Sequence, residues 1–167
     1  VQISDGKGDE HLVRFGVDSS FDAPNLKAVL ADPARTKLYH FGRFDLAAIE
    51  YWLGVTAAPV FCTKIASKLA RTYTGDHGLS DLCAELLGIQ LSKQQQQSDW
   101  AAETLSEEQL EYAALDVLYL HRLRGELKAK LVREDRLDLA TACFAFLTHR
   151  VTLDLAGWSE QDIFSHK

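Results

Sequence analysis

Cysteine is scarce in this chain. Three are present, Cys62, Cys83 and Cys143, odd in number and in no CxxC pair. That excludes a disulfide framework and a cysteine-based zinc site. Two of the three lie in apolar surroundings, where a free cysteine behaves as a small core residue. Long apolar runs are missing as well: none reaches 18 residues, so no stretch of the sequence spans a bilayer as a helix. The opening VQISDGKGDE has neither the basic stretch nor the apolar core of a secretory signal. A cytoplasmic protein with no membrane partner is the default expectation. Basic residues are outnumbered, 18 Lys and Arg against 24 Asp and Glu, for a net charge of −6. Proteins that coat duplex DNA are usually basic, so broad binding to phosphate backbones is excluded. An enzyme that takes a short nucleic acid through metal ions is not, because metal-holding carboxylates themselves add negative charge.

What is present is ordinary globular composition. The 167 residues are 47% hydrophobic and 25% charged, enough for one domain with a real core. VQIS (1–4) and HLVRF (11–15) read as strands around the turn-forming DGKGDE. Asp22 looks like a helix N-cap before APNLKAVL, with Pro24 in the first turn. TKLYHF (36–41) reads as a strand, Gly42 as a turn, and RFDLAAIEYWLG as a helix stopped by Gly54. APVFCT is short and extended, KIASKLART helical, and GLSDLCAELLG a helix closed by Gly88. KQQQQSDW is a polar loop. The capping-box spacing SEEQ (106–109) opens one long helix reaching about Leu131, and another covers about 134–148. The early strands followed by alternating helices and strands place the chain in the α/β class. With no repeat or linker, residues 1–167 form a single domain.

The stretch EYAALDVLYL (111–120) carries Asp116 in apolar company. At 100° per residue, Leu110, Ala114 and Val117 form one stripe, while Tyr112, Asp116, Tyr119 and Leu123 form another. A helix apolar nearly all round is usually buried, so Asp116 is expected to be partly desolvated. Its i±3 and i±4 neighbours are Tyr112, Ala113, Tyr119 and Leu120, none basic. Three solutions remain: a distant Arg or Lys, protonation, or a metal cation. A second carboxylate has a matching context. In HFGRFD (40–45) a strand ends, a glycine turns the chain, and Asp45 arrives at the start of a helix. Strand ends of α/β sheets hold ligands, although helix-dipole stabilisation alone also explains an Asp there. Together the two aspartates suit a hard divalent ion. Two-metal phosphodiester hydrolysis draws acidic residues from several elements, and the Tyr112 hydroxyl, one turn from Asp116, can reach the attacking water.

At these residues the chain resembles a known family. HFGRFD is similar to the second motif, and YAALD (Tyr112 to Asp116) to the Tyr-x3-Asp third motif, of the DEDDy 3′→5′ exonucleases, in the ribonuclease D branch. TKIASKL, GLSDLCAELLGIQLSK, SDW and TLSEEQLEYAALDVLYLHRL follow in the family's order. The resemblance is closest to the small proteobacterial nanoRNase C subgroup and extends to the C-terminal LDLAGWSEQDIF. It implies an RNase H-like (DnaQ-like) fold, a mixed sheet flanked by helices, two Mg²⁺ or Mn²⁺ ions, and release of 5′-mononucleotides. Asp45 and Asp116 would be metal ligands and Tyr112 would orient the water. The subgroup implies short RNA, dinucleotides above all, as substrate, and a ring-shaped homo-octamer.

Other positions join as substrate contacts. By resemblance Lys93 and Gln94 lie near the sugar-phosphate on a loop with Trp100 packing below. Leu79 is a candidate wedge against a base, or else core. His40 is a candidate substrate contact or a satisfied structural histidine, and Arg43 a phosphate ligand or a solvated charge. Thr63 and Lys64 stand where the family often has Asp-Thr; Cys62 replaces the acid, so they receive no catalytic role. Glu107 and Glu108 read as first-turn helix charges. The family's first motif, Asp-x-Glu on the first strand, has no match, since Asp9 and Glu10 are adjacent and point to opposite sides of an extended chain. The expectation is therefore that this strand lies upstream in a longer protein, and that these 167 residues alone are inactive. The competing expectations are a noncatalytic nucleic-acid-binding or scaffold module, and a DNA exonuclease.

Overall fold

The computed structural model describes residues 1–16, 18–91, 98–102 and 104–166. Strand β1 (Gln2–Ser4) pairs antiparallel with β2 (Glu10–Leu12), Ile3 opposite His11. The turn between them is held by Asp5, whose Oδ1 accepts from the Lys7 N–H at 2.8 Å. Helix α1 (Pro24–Ala31) leads to β3 (Lys37–Tyr39), which runs parallel to β4 (Val60–Cys62). A parallel pair needs a crossover. Helix α2 (Arg43–Ala48), continued by the wider π turn Ile49–Leu53, supplies it. Then follow α3 (Thr63–Ala70), α4 (Leu79–Leu82, continued as a π turn to Leu87), α5 (Glu107–Leu118), α6 (Leu120–Arg133) and α7 (Leu137–Leu153). No helix among the described residues is long and apolar enough to cross a membrane.

The core follows from helical spacing. Leu120, Leu123, Leu127 and Leu131 repeat at three- and four-residue steps along α6 and are all buried. Ala140, Phe144, Leu147 and Val151 form the matching stripe on α7. The small Ala66 and Ala70 let α3 lie against α6, and α7 packs on α2 and β4. Polar groups are built in rather than tolerated. Arg71 is 1% exposed; it bonds the Glu85 carboxylate, Ser67 Oγ at 2.9 Å and the Asp76 carbonyl at 2.7 Å. The Lys37 ammonium is capped by the carbonyls of Asp32, Arg35 and Ala58.

The structure revises several expectations. The N-cap of α1 is Ala23, not Asp22, with Pro24 first in the helix. The long helix is two: Tyr119 (φ −99°, ψ −1°) breaks it without glycine or proline. Packing explains the break, because α5 lies on β1 and β2 while α6 turns its leucine stripe onto α3. Helix α5 is also far from buried, with only Gln109 and Ala113 inside. The last long helix runs to Leu153 rather than about 148. The capping box at Ser106 and Gln109 is present as read. The expected mixed sheet is split: among the described residues it forms one antiparallel and one parallel pair. Leu127→Ala, which empties a fully buried side chain, should cost about 3 kcal/mol of unfolding free energy in a denaturant titration.

Candidate active site

The site is built where β3 ends. After Tyr39 the chain turns through His40, Phe41 and Gly42 into α2. The turn is so tight that a Cβ on Gly42 would stand 2.6 Å from the Tyr39 Cβ. Asp45 therefore arrives in the first turn of α2, facing a cavity of about 530 Å³. Asp116 reaches the same cavity from α5. His40 and Leu79 line it too, with Tyr39 and Val117. Four of the sequence-derived candidates thus converge from β3, α2, α4 and α5.

The two carboxylates set the electrostatics. Thinned solvation, and then the Asp45 charge, raise the Asp116 carboxyl above its usual range. Loss of solvation also raises Asp45, against a partly offsetting bond from its own backbone. Asp116 is exposed on the open side of the cavity, and its partial desolvation, as expected, comes with that exposure rather than from burial in the core. No ion pair among the described residues reaches either aspartate. The distant-cation solution is therefore not used, which leaves protonation or a bound cation. The pair alone is an oxygen-only donor set. Among the described residues no group of three or more acidic, His or Cys side chains gathers to hold a metal.

Tyr112 stands one turn before Asp116, beside Trp100 with ring centroids 6.0 Å apart. Partial burial and then the Asp116 charge push its phenol up, keeping it protonated at neutral pH. Gln109 holds Trp100's loop through Ser98 Oγ and the Asp99 carbonyl, both at 3.0 Å. His40 is held differently. The Thr63 hydroxyl donates to the Tyr39 carbonyl at 3.1 Å, so it accepts from His40 Nδ1 at 2.9 Å. That assigns the proton to Nδ1 and leaves Nε2 an acceptor. Burial, then Lys64, lowers this imidazole to about 4, so it is neutral.

Arg43 does not join the cavity. Its guanidinium is clamped by both Asp154 oxygens, at 2.6 and 2.7 Å, and by the Ser159 carbonyl at 2.7 Å. A free phosphate-binding guanidinium, as expected from the sequence, is not on offer. Lys93 and Gln94 lie outside the described residues. The sequence reading missed the support of the loop before Leu79, where Arg71 grips the Asp76 carbonyl and Glu85. It also missed Thr63 as the partner of His40. A hydroxyl directly after a strand end was the only available signal for the second.

The chain is similar to several known proteins. A 3′-5′ exonuclease family model matches residues 1–132. Ribonuclease D of Gluconacetobacter diazotrophicus is 36% identical over 145 residues, 86% of this chain and 36% of that protein. The chain thus spans about a third of the curated relatives it matches. A structure of Brucella melitensis NrnC bound to pGG is similar at 54% identity and a TM-score of 0.95, covering 99% of this chain and 80% of that one. Brucella melitensis NrnC with bound Mg²⁺ is similar at 53% identity and 0.94, with the same coverage.

The raised carboxyls predict a stability signature. A carboxyl whose folded pKa is raised favours folding below its ordinary pKa and opposes it once ionised. In chelator, Asp116→Asn should therefore raise the thermal midpoint at pH 7. The gain should fade as pH falls through the ordinary carboxylate range near about 4, as read by calorimetry across that range.

Proposed function

We propose, from the premise that this chain belongs to the 3′-5′ exonuclease family and has its RNase H-like fold, that it is a metal-dependent exoribonuclease cutting short RNA, dinucleotides above all, into 5′-mononucleotides. The observation that carries this reading is the meeting of Asp45 and Asp116 in one cavity, with Tyr112 one turn away. The net charge of −6 also suits a substrate with few phosphates to neutralise.

The donor set fits a hard divalent ion. Two under-solvated carboxylates, one raised by the other's charge, are relieved by a cation that prefers oxygen. Asp45 and Asp116 would hold Mg²⁺ or Mn²⁺, a pair of ions in the full reading. Bound there, the metal would supply charge stabilisation and an activated water. The chain's own groups do the rest. The protonated Tyr112 hydroxyl holds the water that attacks phosphorus by a hydrogen bond. The bond from phosphorus to the 3′ oxygen of the preceding nucleotide breaks, and that oxygen leaves as a 3′-hydroxyl. The released nucleotide keeps a 5′-phosphate. His40, neutral and with Nε2 free to accept, suits a sugar hydroxyl, and Leu79 packs on a base.

The single-domain reading has its own support. Strands β1 and β3 both border this cavity and a second one of about 450 Å³, yet do not pair. A strand carrying Asp-x-Glu, seated between them, would join the two pairs into one mixed sheet and bring further carboxylates to the site. The exposed Leu155, Trp158, Ile163 and Phe164 suit a self-associating assembly, proposed as a homo-octamer, which light scattering would measure.

In the full-length protein, Asp45→Asn or Asp116→Asn should lower the Mg²⁺- or Mn²⁺-dependent turnover of a 5′-phosphorylated ribodinucleotide at least about a hundredfold. Full activity in either variant sinks the two-carboxylate assignment. Absence of hydrolysis in the unaltered protein, on matched RNA and DNA dinucleotides alike, would favour a binding module. Tyr112→Phe should lower kcat about a hundredfold with little change in KM, and the reverse split would remove its role at the water.

A further inference from the structure

Phe41 has φ +61°, a left-handed conformation that a bulky side chain rarely adopts. Such outliers collect at functional sites, where the surrounding structure holds them in place. Here it turns His40 to the cavity while the Phe41 ring stays 43% exposed, edge-to-face with Phe44 at 5.3 Å. Phe44 itself is 63% exposed. Above the Phe41 ring, 4.2 Å from its centroid, lies the Lys64 ammonium. No ion pair among the described residues engages Lys64, whereas Arg43, Arg71 and Arg150 are each held by a carboxylate.

This cluster adjoins a cavity-lining residue through the chain. His40, next to Phe41 in the chain, lines the cavity and is bonded to Thr63, next to Lys64. Lys64 is near enough to help depress the His40 pKa. Lys64 lies over the Phe41 ring and the Arg43 guanidinium lies 5.7 Å over the Phe44 ring, so each ring has its remaining face for a base to stack on, and the ammonium offers a counter-charge to a phosphate. We infer that Phe41, Phe44 and Lys64 form a nucleotide-binding platform at the rim of the Asp45–Asp116 cavity. It takes the base and phosphate of the nucleotide on the 5′ side of the cleaved bond. This rests on the exonuclease reading and extends it: the cleaved phosphate goes to the carboxylate side, and the next nucleotide goes to a cation-capped aromatic pair.

The test uses Phe41→Asn and Lys64→Gln in the full-length protein, each assayed on two substrates. One is a 5′-phosphorylated ribodinucleotide. The other is the p-nitrophenyl ester of a 5′-mononucleotide, which has no nucleotide on the 5′ side. Asparagine accepts the left-handed conformation, so Phe41→Asn should melt no lower than the unaltered protein. Both variants should raise KM for the dinucleotide about tenfold, with kcat changing far less. Their KM for the ester should stay unchanged. Lys64→Gln should also flatten the dependence of log KM on log salt by about 0.7, one phosphate contact on a single strand. An unchanged dinucleotide KM in both variants overturns the platform. So does an unchanged KM with loss of self-association, which would make the face an interface between copies. If the unaltered protein cleaves neither substrate, the exonuclease reading itself fails and the platform falls with it.

Discussion

Asp45 and Asp116 share one cavity, neither has an ion-pair partner among the described residues, and loss of solvation raises both carboxyls. Every part of the fold near them keeps that costly pair in place. The tight turn at Gly42 delivers Asp45 at a strand end. The break at Tyr119 lets α5 lie over β1 and β2 with Asp116 toward the cavity, while α6 keeps its leucines in the core. An uninterrupted helix could not satisfy both surfaces. A carboxylate pair with thinned solvation and no ion pair among the described residues is a candidate site, because perturbed ionisable groups gather at such places.

The parts of the fold that were legible in the sequence are those written in local pattern. The Ser106–Gln109 box and the Gly54 stop (φ +65°) each depend on neighbours a few residues away. Asp45 and Asp116 were found for the same reason: each sits in a short, unusual context, a strand-turn-helix or an apolar helix without a cation. What was hidden depends on distant partners. The helix break at Tyr119 has no local cause, and nothing near Arg43 in sequence announces that Asp154, 111 residues away, will claim it. Nor could periodicity tell that α5 would be mostly open, because a helix can be apolar around its circumference and still lie at an edge.

The cations of the site region divide by what they hold. Arg43 and Arg150 both bind Asp154 and the carbonyls that follow it, fastening the C-terminal segment to α2 and α7. Their charge is consumed by a carboxylate and by carbonyls, so they shape the wall and add little positive field. Arg71 does the same for the loop that presents Leu79, drawing Glu85 down to about 2 with help from the Tyr73 hydroxyl. Lys64 lies over the Phe41 ring, as Arg43 and Arg71 lie over Phe44 and Tyr73, but unlike them it is in no ion pair among the described residues. An ammonium over a π-face keeps its charge and its three donors largely unspent. The sorting matters more than the count: a net charge of −6 does not prevent a cation with no ion pair among the described residues from standing near His40.

That sorting also bears on His40. An imidazole between an acidic pair and an ammonium could titrate either way, but its surroundings decide. Burial contributes most and Lys64 next, both toward the neutral form, against a weaker pull from Asp81. Thr63, whose hydroxyl donates to the Tyr39 carbonyl, then accepts the hydrogen bond from His40 Nδ1–H. A neutral ring with a fixed tautomer offers one acceptor and no positive charge. It adds no positive charge to the cavity that Asp45 and Asp116 line. His40 thus stands neutral in the cavity that Asp45 and Asp116 also line, with the Lys64 charge near it.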